Sequence, residues 1–375
     1  MHMKATWYKN LKTQIISMAF DKHLQDLRKK INRTDEQILN LISARARFAK
    51  KIGVFKKKYK IEPFSANREK IIHQRLEKLN QGPLNNENVR IIFGEIISAC
   101  LSLEKSLKIA YLGPEATFSH QAALQQFGHS PRFIPLPTIE GIFREVEKKQ
   151  CDYGVVPIEN STEGSIYRTL DMFIETPLKI CAEISLEVSL YLLSSRDRIE
   201  NIKKIYSHPQ ALAQCSRWLA QYLPDIPVKE ASSTAQAAKK AKEDPSVGAV
   251  AGKLAAKIYD LKILKNKIED YSKNFTRFWV ISHQSPEKSG HDKTSIMFCI
   301  KHKAGSLHKI IYPFAHYGIN MTKIESRPLK DSPWEYFFFV DVEGHVTDPR
   351  LKKAFKEIEK MVKFLKVLGS YPRST

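Results

Sequence analysis

The 375-residue sequence is most informative first in what it lacks. No run approaches the ~18 consecutive apolar residues that a membrane-spanning helix needs. Its five cysteines, Cys100, Cys151, Cys181, Cys215 and Cys299, are odd in number and widely spaced, with no CxxC pair and no histidine at metal-ligand spacing. A disulfide framework and a zinc site are therefore excluded, and free thiols in a reducing compartment are expected. Residues 1–20 hold no apolar core long enough for an export signal, so a cytoplasmic location is expected, with Met18 a candidate start. Repeats and low-complexity tracts are absent, and a hydrophobic content of 42% excludes a disordered chain.

What the chain has in excess is positive charge, 61 Lys and Arg against 40 Asp and Glu, for a net of +21. Residues 1–60 alone contribute +12 of it, from 12 Lys and 4 Arg against Asp21, Asp26, Asp35 and Glu36. Such a segment suits nucleic acid, an acidic membrane surface or anionic small substrates, and the placement of the cations decides between them.

The length suits two or three domains. Lys22 to about Lys60 is interrupted by neither Pro nor Gly apart from Gly53, which predicts one long helix with Asp21 capping its start. Pro63 and Gly82-Pro83 mark breaks, with further helices predicted from about Ala66 to Asn80 and from about Glu87 to Leu107. So long an apolar stripe outruns two short partners, which points to a coiled coil or an intertwined dimer. From Lys108 the pattern changes to short apolar strands (KIAYLGP, DYGVVPI, KICAEISLEVSLYLLSS, KIYSHP, VGAVA, RFWVISH) alternating with helical stretches at 138–149, 209–222 and 232–242. This predicts an α/β segment of two lobes around a cleft. After a polar linker at 283–292, the order strand 294–301, helix 305–317, strands 319–327 and 334–343, helix 348–363 and a strand near Val367 is βαββαβ, the ferredoxin-like plan. The expected domains are thus an N-terminal extension, 1–20, an all-α domain, 21–107, an α/β domain, 108–284, and an α+β domain, 293–375.

With Arg45 at zero and ~100° per residue, Ile31, Ile38, Leu41, Ile42, Phe48, Ala49 and Ile52 fall within ~60° of it, and Lys56 at about +20°. Two cations thus lie in an apolar stripe. On the third helix Glu104 shares a face with Phe93, Ile96, Ile97, Cys100, Leu103 and Leu107, and Arg68 shares one with Ile71, Ile72 and Leu79. An internal salt-bridge network or snorkelling side chains would explain this, but three cations facing one carboxylate leave a surplus that a small dianion would match. Lys50, Lys51, Lys57, Lys58 and Lys60 lie mostly off the stripe, on a solvated face. Arg28 sits ~100° from Arg45 and is better placed for a partner's pocket than for its own.

At these residues the helical segment resembles the all-α chorismate mutase domain. The motifs YLGPEATFSH (111–120), VVPIENSTEGSI (155–166), YSHPQALAQC (206–215) and NFTRFWVI (274–281) together resemble prephenate dehydratase, and the C-terminal part resembles an ACT domain. The combination, over residues 21 to 372, is similar to the bifunctional bacterial enzyme of phenylalanine biosynthesis.

That resemblance implies two reactions and no cofactor or metal. Chorismate would rearrange to prephenate in a pocket where Arg45, a partner's Arg28, and Arg68 hold carboxylates, and where Lys56 and Glu104 donate to the ether oxygen. A carboxyl group donates only when protonated. Glu69 would accept from the ring hydroxyl, with Ser65 and Cys100 as weaker site members. Prephenate would then lose carboxylate and hydroxyl together, with Thr276 donating to the departing hydroxyl, Asn160, Ser207 and Gln214 lining the cleft, Glu159 close by and Thr117 at the rim. Ser119 would complete the rim, and Arg277 is either a carboxylate partner or an exposed structural residue. Ala116 stands where the family usually has Gly, a strained position if its φ is positive. AGSLHKII (304–311) and KIESRPLK (323–330) would bind L-phenylalanine as feedback effector through Gly305, Leu307, Glu325, Ser326 and Arg327, with the effector's carboxylate at a helix N-terminus. The expected assembly is a homodimer or tetramer, with neither nucleic acid nor membrane as partner. The alternative is an amino-acid-sensing ACT regulator with a basic, nucleic-acid-binding helical arm, whose cations should project outward.

Overall fold

The computed structural model describes residues 2–59, 61–271, 273–300, 303–328 and 336–374, with side chains from residue 20 onward. The chain divides into two compact units, Met1–Pro63 with Leu103–Lys105, and Phe64–Ser102 with Ser106–Thr375.

The first unit is dominated by α1 (His2–Tyr59), one helix of 58 residues and so about 87 Å long. The expected cap at Asp21 is not formed. The helix runs straight through it, since nothing between His2 and Asp21 is a Gly or Pro that would stop it. The apolar stripe predicted to be buried is instead open in the single chain: Leu41 is 70% and Phe48 64% exposed, and Ile31, Ile38 and Ile52 are exposed as well. Gly53 has a steric role, because a Cβ there would lie 2.9 Å from Glu104 Cβ.

In the second unit, α2 (Ala66–Leu79) begins at an N-cap in which Ser65 Oγ accepts from Arg68 N at 3.3 Å. Helix α3 (Asn86–Glu104), whose end, Leu103 and Glu104, counts with the first unit, buries Ile97, Cys100 and Leu101. It stops before Leu107, which together with Leu101 enters the core of the following sheet, while Leu103 is exposed.

That core belongs to a lobe built from β1 (Lys108–Leu112), α4 (Phe118–Phe127), β2 (Arg132–Leu136), α5 (Ile139–Glu147), β3 (Tyr153–Asn160), β4 (Gly164–Ser165), α6 (Tyr167–Glu175) and β5 (Lys179–Glu187). The run predicted as one strand from Lys179 to Ser195 is two strands. It breaks at Val188, where the chain crosses to a second lobe of β6 (Tyr191–Ser194), β7 (Lys204–Ser207), α7 (Pro209–Gln214), α8 (Ser216–Tyr222), β8 (Val228–Glu230), α9 (Thr234–Glu243), β9 (Val247–Ala251), α10 (Lys253–Ile258) and β10 (Lys262–Lys265). The chain then returns, and β11 (Phe275–Ser282) inserts between β3 and β5 of the first lobe, antiparallel to both. The two crossings are tied by Val188 N donating to Asn274 O at 2.8 Å and Ile268 N to Leu190 O at 2.9 Å. The sheet orders are β2-β1-β3-β11-β5 and β10-β6-β9-β7-β8, both of mixed direction.

The C-terminal domain follows the expected βαββαβ order: β12 (Asp292–Cys299), α11 (Ser306–His316), β13 (Met321–Pro328), β14 (Tyr336–Glu343), α12 (Pro349–Glu359) and β15 (Phe364–Pro372), in an antiparallel sheet of order β13-β14-β12-β15. One sheet face is covered by α11 and α12. Its other face lies on the first lobe, where Met297, Phe339, Leu368 and Tyr371 share one core with Val156, Ile158, Trp279 and Ile281. Lys366 caps the C-terminus of α6, donating to Thr176 O at 2.6 Å and Phe173 O at 2.9 Å, which sets a cation against the negative end of the helix dipole.

Where β15 meets β5 the approach is too close for any side chain: a Cβ on Gly369 would overlap the Ile180 carbonyl oxygen and lie 2.8 Å from Ile180 N. Gly369→Ala is expected to destabilise the second unit by about 1–3 kcal/mol, since backbone must move to admit the methyl. Urea denaturation of the variant against the parent checks this.

Candidate active site

The register of β3 and β11 sets the site. Thr276 lies opposite Asn160 and Arg277 opposite Glu159 in the antiparallel ladder. Directly opposed residues share a face and neighbours alternate, so Thr276 and Asn160 project together on one side and Arg277 and Glu159 on the other.

On the first side Asn160 Nδ2 donates to Thr276 Oγ1 at 2.9 Å and to Asn274 Oδ1 at 3.0 Å. Asn274 Nδ2 donates to Gln214 Oε1 at 3.0 Å, and Gln214 Nε2 to Thr162 Oγ1 at 3.2 Å. The Thr162 hydroxyl donates to Asn160 Oδ1 at 2.5 Å, and Thr162 N to the same oxygen at 3.0 Å. Gln214 ends α7 in the second lobe and the other members belong to the first, so the cluster spans the cleft between them. Thr276, Asn160 and Asn274 are 9%, 6% and 2% exposed.

Donor accounting shows what this cluster can do. Thr276 Oγ1 accepts from Asn160, and its own proton has no acceptor among the described residues. One amide proton each of Gln214 and Asn274 is likewise unassigned. Asn160 Oδ1 accepts twice and the oxygens of Asn274, Gln214 and Thr276 once each, and three protons are left over for a ligand. That chemistry favours an anion, or an oxygen about to leave as hydroxide.

Of the expected cleft residues, Asn160, Gln214 and Thr276 come together, while the others are differently employed. Ser207 is fully buried and donates to Val250 O at 2.5 Å. Thr117 is the N-cap of α4, accepting from His120 N and donating to Leu112 O at 3.1 Å. Ser119 is buried in the first turn of that helix. Ala116 has φ +70°, the left-handed conformation that costs a residue with a Cβ about 1–2 kcal/mol. Its N–H donates to His120 Nδ1 at 3.2 Å, and burial lowers the pKa of that imidazole. Asn274 and Thr162 were not among the expected site residues, although both lie inside the quoted motifs, each two residues from an expected member.

Glu159 does not line the cleft, and Arg277 is neither exposed nor a cleft cation. Arg277 lies against Asp341 of β14 (2.6 Å), Glu183 of β5 (3.2 Å) and Glu159 (3.3 Å). Lys293 of β12 pairs with Glu183 at 2.8 Å, and Lys323 of β13 with Glu159 at 3.0 Å. Three cations thus meet three carboxylates between the first lobe and the C-terminal domain. Burial opposes the Arg277 charge, but the Asp341 and Glu183 carboxylates outweigh it and raise its pKa.

The expected effector motif also faces this interface. Glu325 accepts from Ser165 Oγ at 2.7 Å and from the Tyr167 hydroxyl at 3.1 Å. Arg327 makes a two-pronged pair with Asp171 at 2.8 and 2.9 Å and stacks over the Tyr167 ring. Ser326 points the other way and is exposed. Gly305 is the N-cap of α11 at φ +78°, and Leu307 packs into the core beneath that helix.

In the first unit, Lys56 Nζ donates to Glu104 Oε2 at 3.1 Å and to Pro63 O at 2.6 Å, so this expected pair does meet. Arg45 is half-buried and Arg28 exposed on α1. Arg68 is exposed on α2, Glu69 lies in that helix's first turn beside the Ser65 cap, and Cys100 is buried within α3. All five cysteines are free and buried.

Family patterns match three successive segments: chorismate mutase type II over residues 27–105, prephenate dehydratase over 109–286, and the ACT domain over 294–360. The chain is 50% identical over 355 residues to a bifunctional chorismate mutase/prephenate dehydratase of Aquifex aeolicus, covering 94% of this chain and 98% of that one. Among solved structures, prephenate dehydratase of Arthrobacter aurescens in complex with L-Phe superposes with a TM-score of 0.66 at 33% identity, over 71% of this chain and 90% of that one. A protein described as a quorum-quenching acylase, GqqA, superposes with the same TM-score at 29% identity, over 71% and 98% of the two chains.

Arg277→Gln would leave Glu183 and Asp341 buried without their guanidinium, at an expected cost of about 3–5 kcal/mol. The double variant R277Q/D341N should recover part of that loss. Chemical denaturation of the three proteins measures both effects.

Proposed function

The chain belongs to the bifunctional chorismate mutase/prephenate dehydratase family, and on that premise we propose that Thr276, Asn160 and Gln214 carry the dehydratase reaction and that Lys56, Glu104 and Arg45 carry the mutase reaction. The protein converts chorismate to prephenate and prephenate to phenylpyruvate in phenylalanine biosynthesis.

The observation that carries the dehydratase assignment is the unassigned proton of Thr276. Loss of CO2 sends an electron pair through the ring and expels the hydroxyl, which leaves as water once protonated. The Thr276 hydroxyl stabilises that departing oxygen as a hydrogen-bond donor, and the spare amide proton of Gln214 suits the substrate's anionic groups. The acylase likeness is one of fold. Thr276 is held by an amide, with no basic side chain bonded to it to activate a nucleophile.

For the mutase reaction, Lys56 supplies an ammonium to the ether oxygen, with Glu104 beside it. Arg45 and a partner chain's Arg28 hold the carboxylates, and Arg68, Glu69, Ser65 and Cys100 are the further candidates. The exposed apolar stripe of α1 supports an intertwined dimer as the active form, because Ile31, Ile38, Leu41, Phe48 and Ile52 are left exposed among the described residues. The proposed domains remain 21–107, 108–284 and 293–375, in a cytoplasmic protein. Lys56 pairing with Glu104 counts against a nucleic-acid arm, whose cations should face outward.

L-phenylalanine is proposed as effector at the Gly305 turn, with Leu307 held in the core beneath α11 and Ser326 exposed on β13. Glu325 and Arg327 contribute only if they leave Ser165, Tyr167 and Asp171.

Thr276→Ala should lower phenylpyruvate formation by at least about 10²-fold while chorismate consumption continues, as followed in a coupled assay. Comparable loss of both activities would refute the assignment. In calorimetry the protein should bind L-phenylalanine more tightly than L-tyrosine; equal or absent binding would remove the effector site.

A further inference from the structure

The four hydrogen bonds Thr162 to Asn160, Asn160 to Asn274, Asn274 to Gln214 and Gln214 to Thr162 close a ring in which every member donates onward and accepts from behind. Its direction is determined at one place. The backbone N–H of Thr162 can only donate, so the Asn160 atom it meets must be the oxygen. Asn160 therefore presents Nδ2 to both Asn274 and Thr276. With that amide oriented, Asn274 must present its oxygen to Asn160 and its nitrogen to Gln214. Gln214 must in turn donate to Thr162, and the Thr162 hydroxyl closes the circuit on Asn160. Bonds running head to tail polarise one another, so the ring is stiffer than its members taken singly. Thr276 stands outside the ring and receives the second Nδ2 proton of Asn160, which commits its oxygen as acceptor and leaves its own proton free to donate.

We infer that Thr162 and Asn274 are positioning residues for the dehydration: they hold Asn160 and Gln214 in the one amide orientation that makes Thr276 a donor to the leaving hydroxyl. Neither has to touch the reacting atoms. Thr162 acts from the turn between β3 and β4, and Asn274 from the return crossing just before β11. Gln214 is the ring's sole contribution from the second lobe, so the same bonds register the two lobes across the cleft.

The inference rests on the assignment of dehydration to Thr276, and the experiment separates the two. Thr162→Val keeps the side-chain shape and removes the hydroxyl, Thr162→Ser keeps the hydroxyl, and Asn274→Leu removes both amide functions. Steady-state kinetics of both activities would be measured on these three, on T162V/N274L and on T276A. Opening the ring should lower the dehydratase kcat about tenfold in T162V and in N274L, with KM within about threefold and mutase activity at the parent level. T162S should return to within about threefold of the parent. The double variant should fall little below the worse single one, because a ring already open has no second closure to lose. A parental kcat in T162V, no rescue by serine, losses that multiply in the double variant, or mutase activity falling in parallel would each overturn the inference while T276A remained inactive as a dehydratase. An active T276A would instead overturn the assignment on which it rests.

Discussion

The position of Arg277 is the constraint on which the rest of the second unit depends. A guanidinium enclosed between two sheets is tolerable only if carboxylates meet it, and they arrive from three strands, Glu159 on β3, Glu183 on β5 and Asp341 on β14. Those carboxylates in turn require Lys293 and Lys323 from the C-terminal domain. The result is a neutral cluster of three cations and three anions that is stable as a set and costly to break at any one member. Its charges need partners at defined distances, so it fixes how the C-terminal sheet sits on the first lobe in a way that the surrounding apolar contacts, being non-directional, do not.

The same two strands carry the residues proposed for the dehydration. Thr276 and Arg277 are consecutive, as are Asn160 and Glu159, and strand alternation sends one of each pair to the cleft and the other to the C-terminal domain. The proposed catalytic surface and the interdomain surface are thus opposite faces of one pair of strands. The turn after β3 repeats the arrangement on a smaller scale, with Thr162 in the cleft cluster and Ser165 bonded to Glu325. A shift of the C-terminal domain would be felt within a few residues of Thr276, which gives the proposed feedback a short physical route.

The motif order, the βαββαβ C-terminal plan and the cleft trio Asn160, Gln214 and Thr276 were legible in the sequence, because apolar periodicity and short polar motifs at strand ends are local signals. Other expectations failed where local signals were ambiguous. A serine or threonine beside a strand end looks the same whether it faces a ligand or the backbone, and Ser207 and Thr117 proved to serve the backbone. The resemblance put Glu159, and in one of two readings Arg277, near substrate, yet each adjoins a member of the amide cluster along its strand, and adjacency along a strand means the opposite face. The crossing at Val188 was hidden inside one apolar run, since strands of either lobe read alike.

By itself, then, the sequence determined most of the element types, the three-part layout and the side chains proposed for the chemistry, because these depend on residues near one another along the chain. Tertiary structure alone decided which of those side chains meet. The amide ring joins residues 160, 162, 214 and 274, and the ion cluster joins strands from β3 to β14. Such long-range pairings follow from strand register and from the need to pair buried amides and charges together, a condition imposed by the assembled fold and by no segment alone.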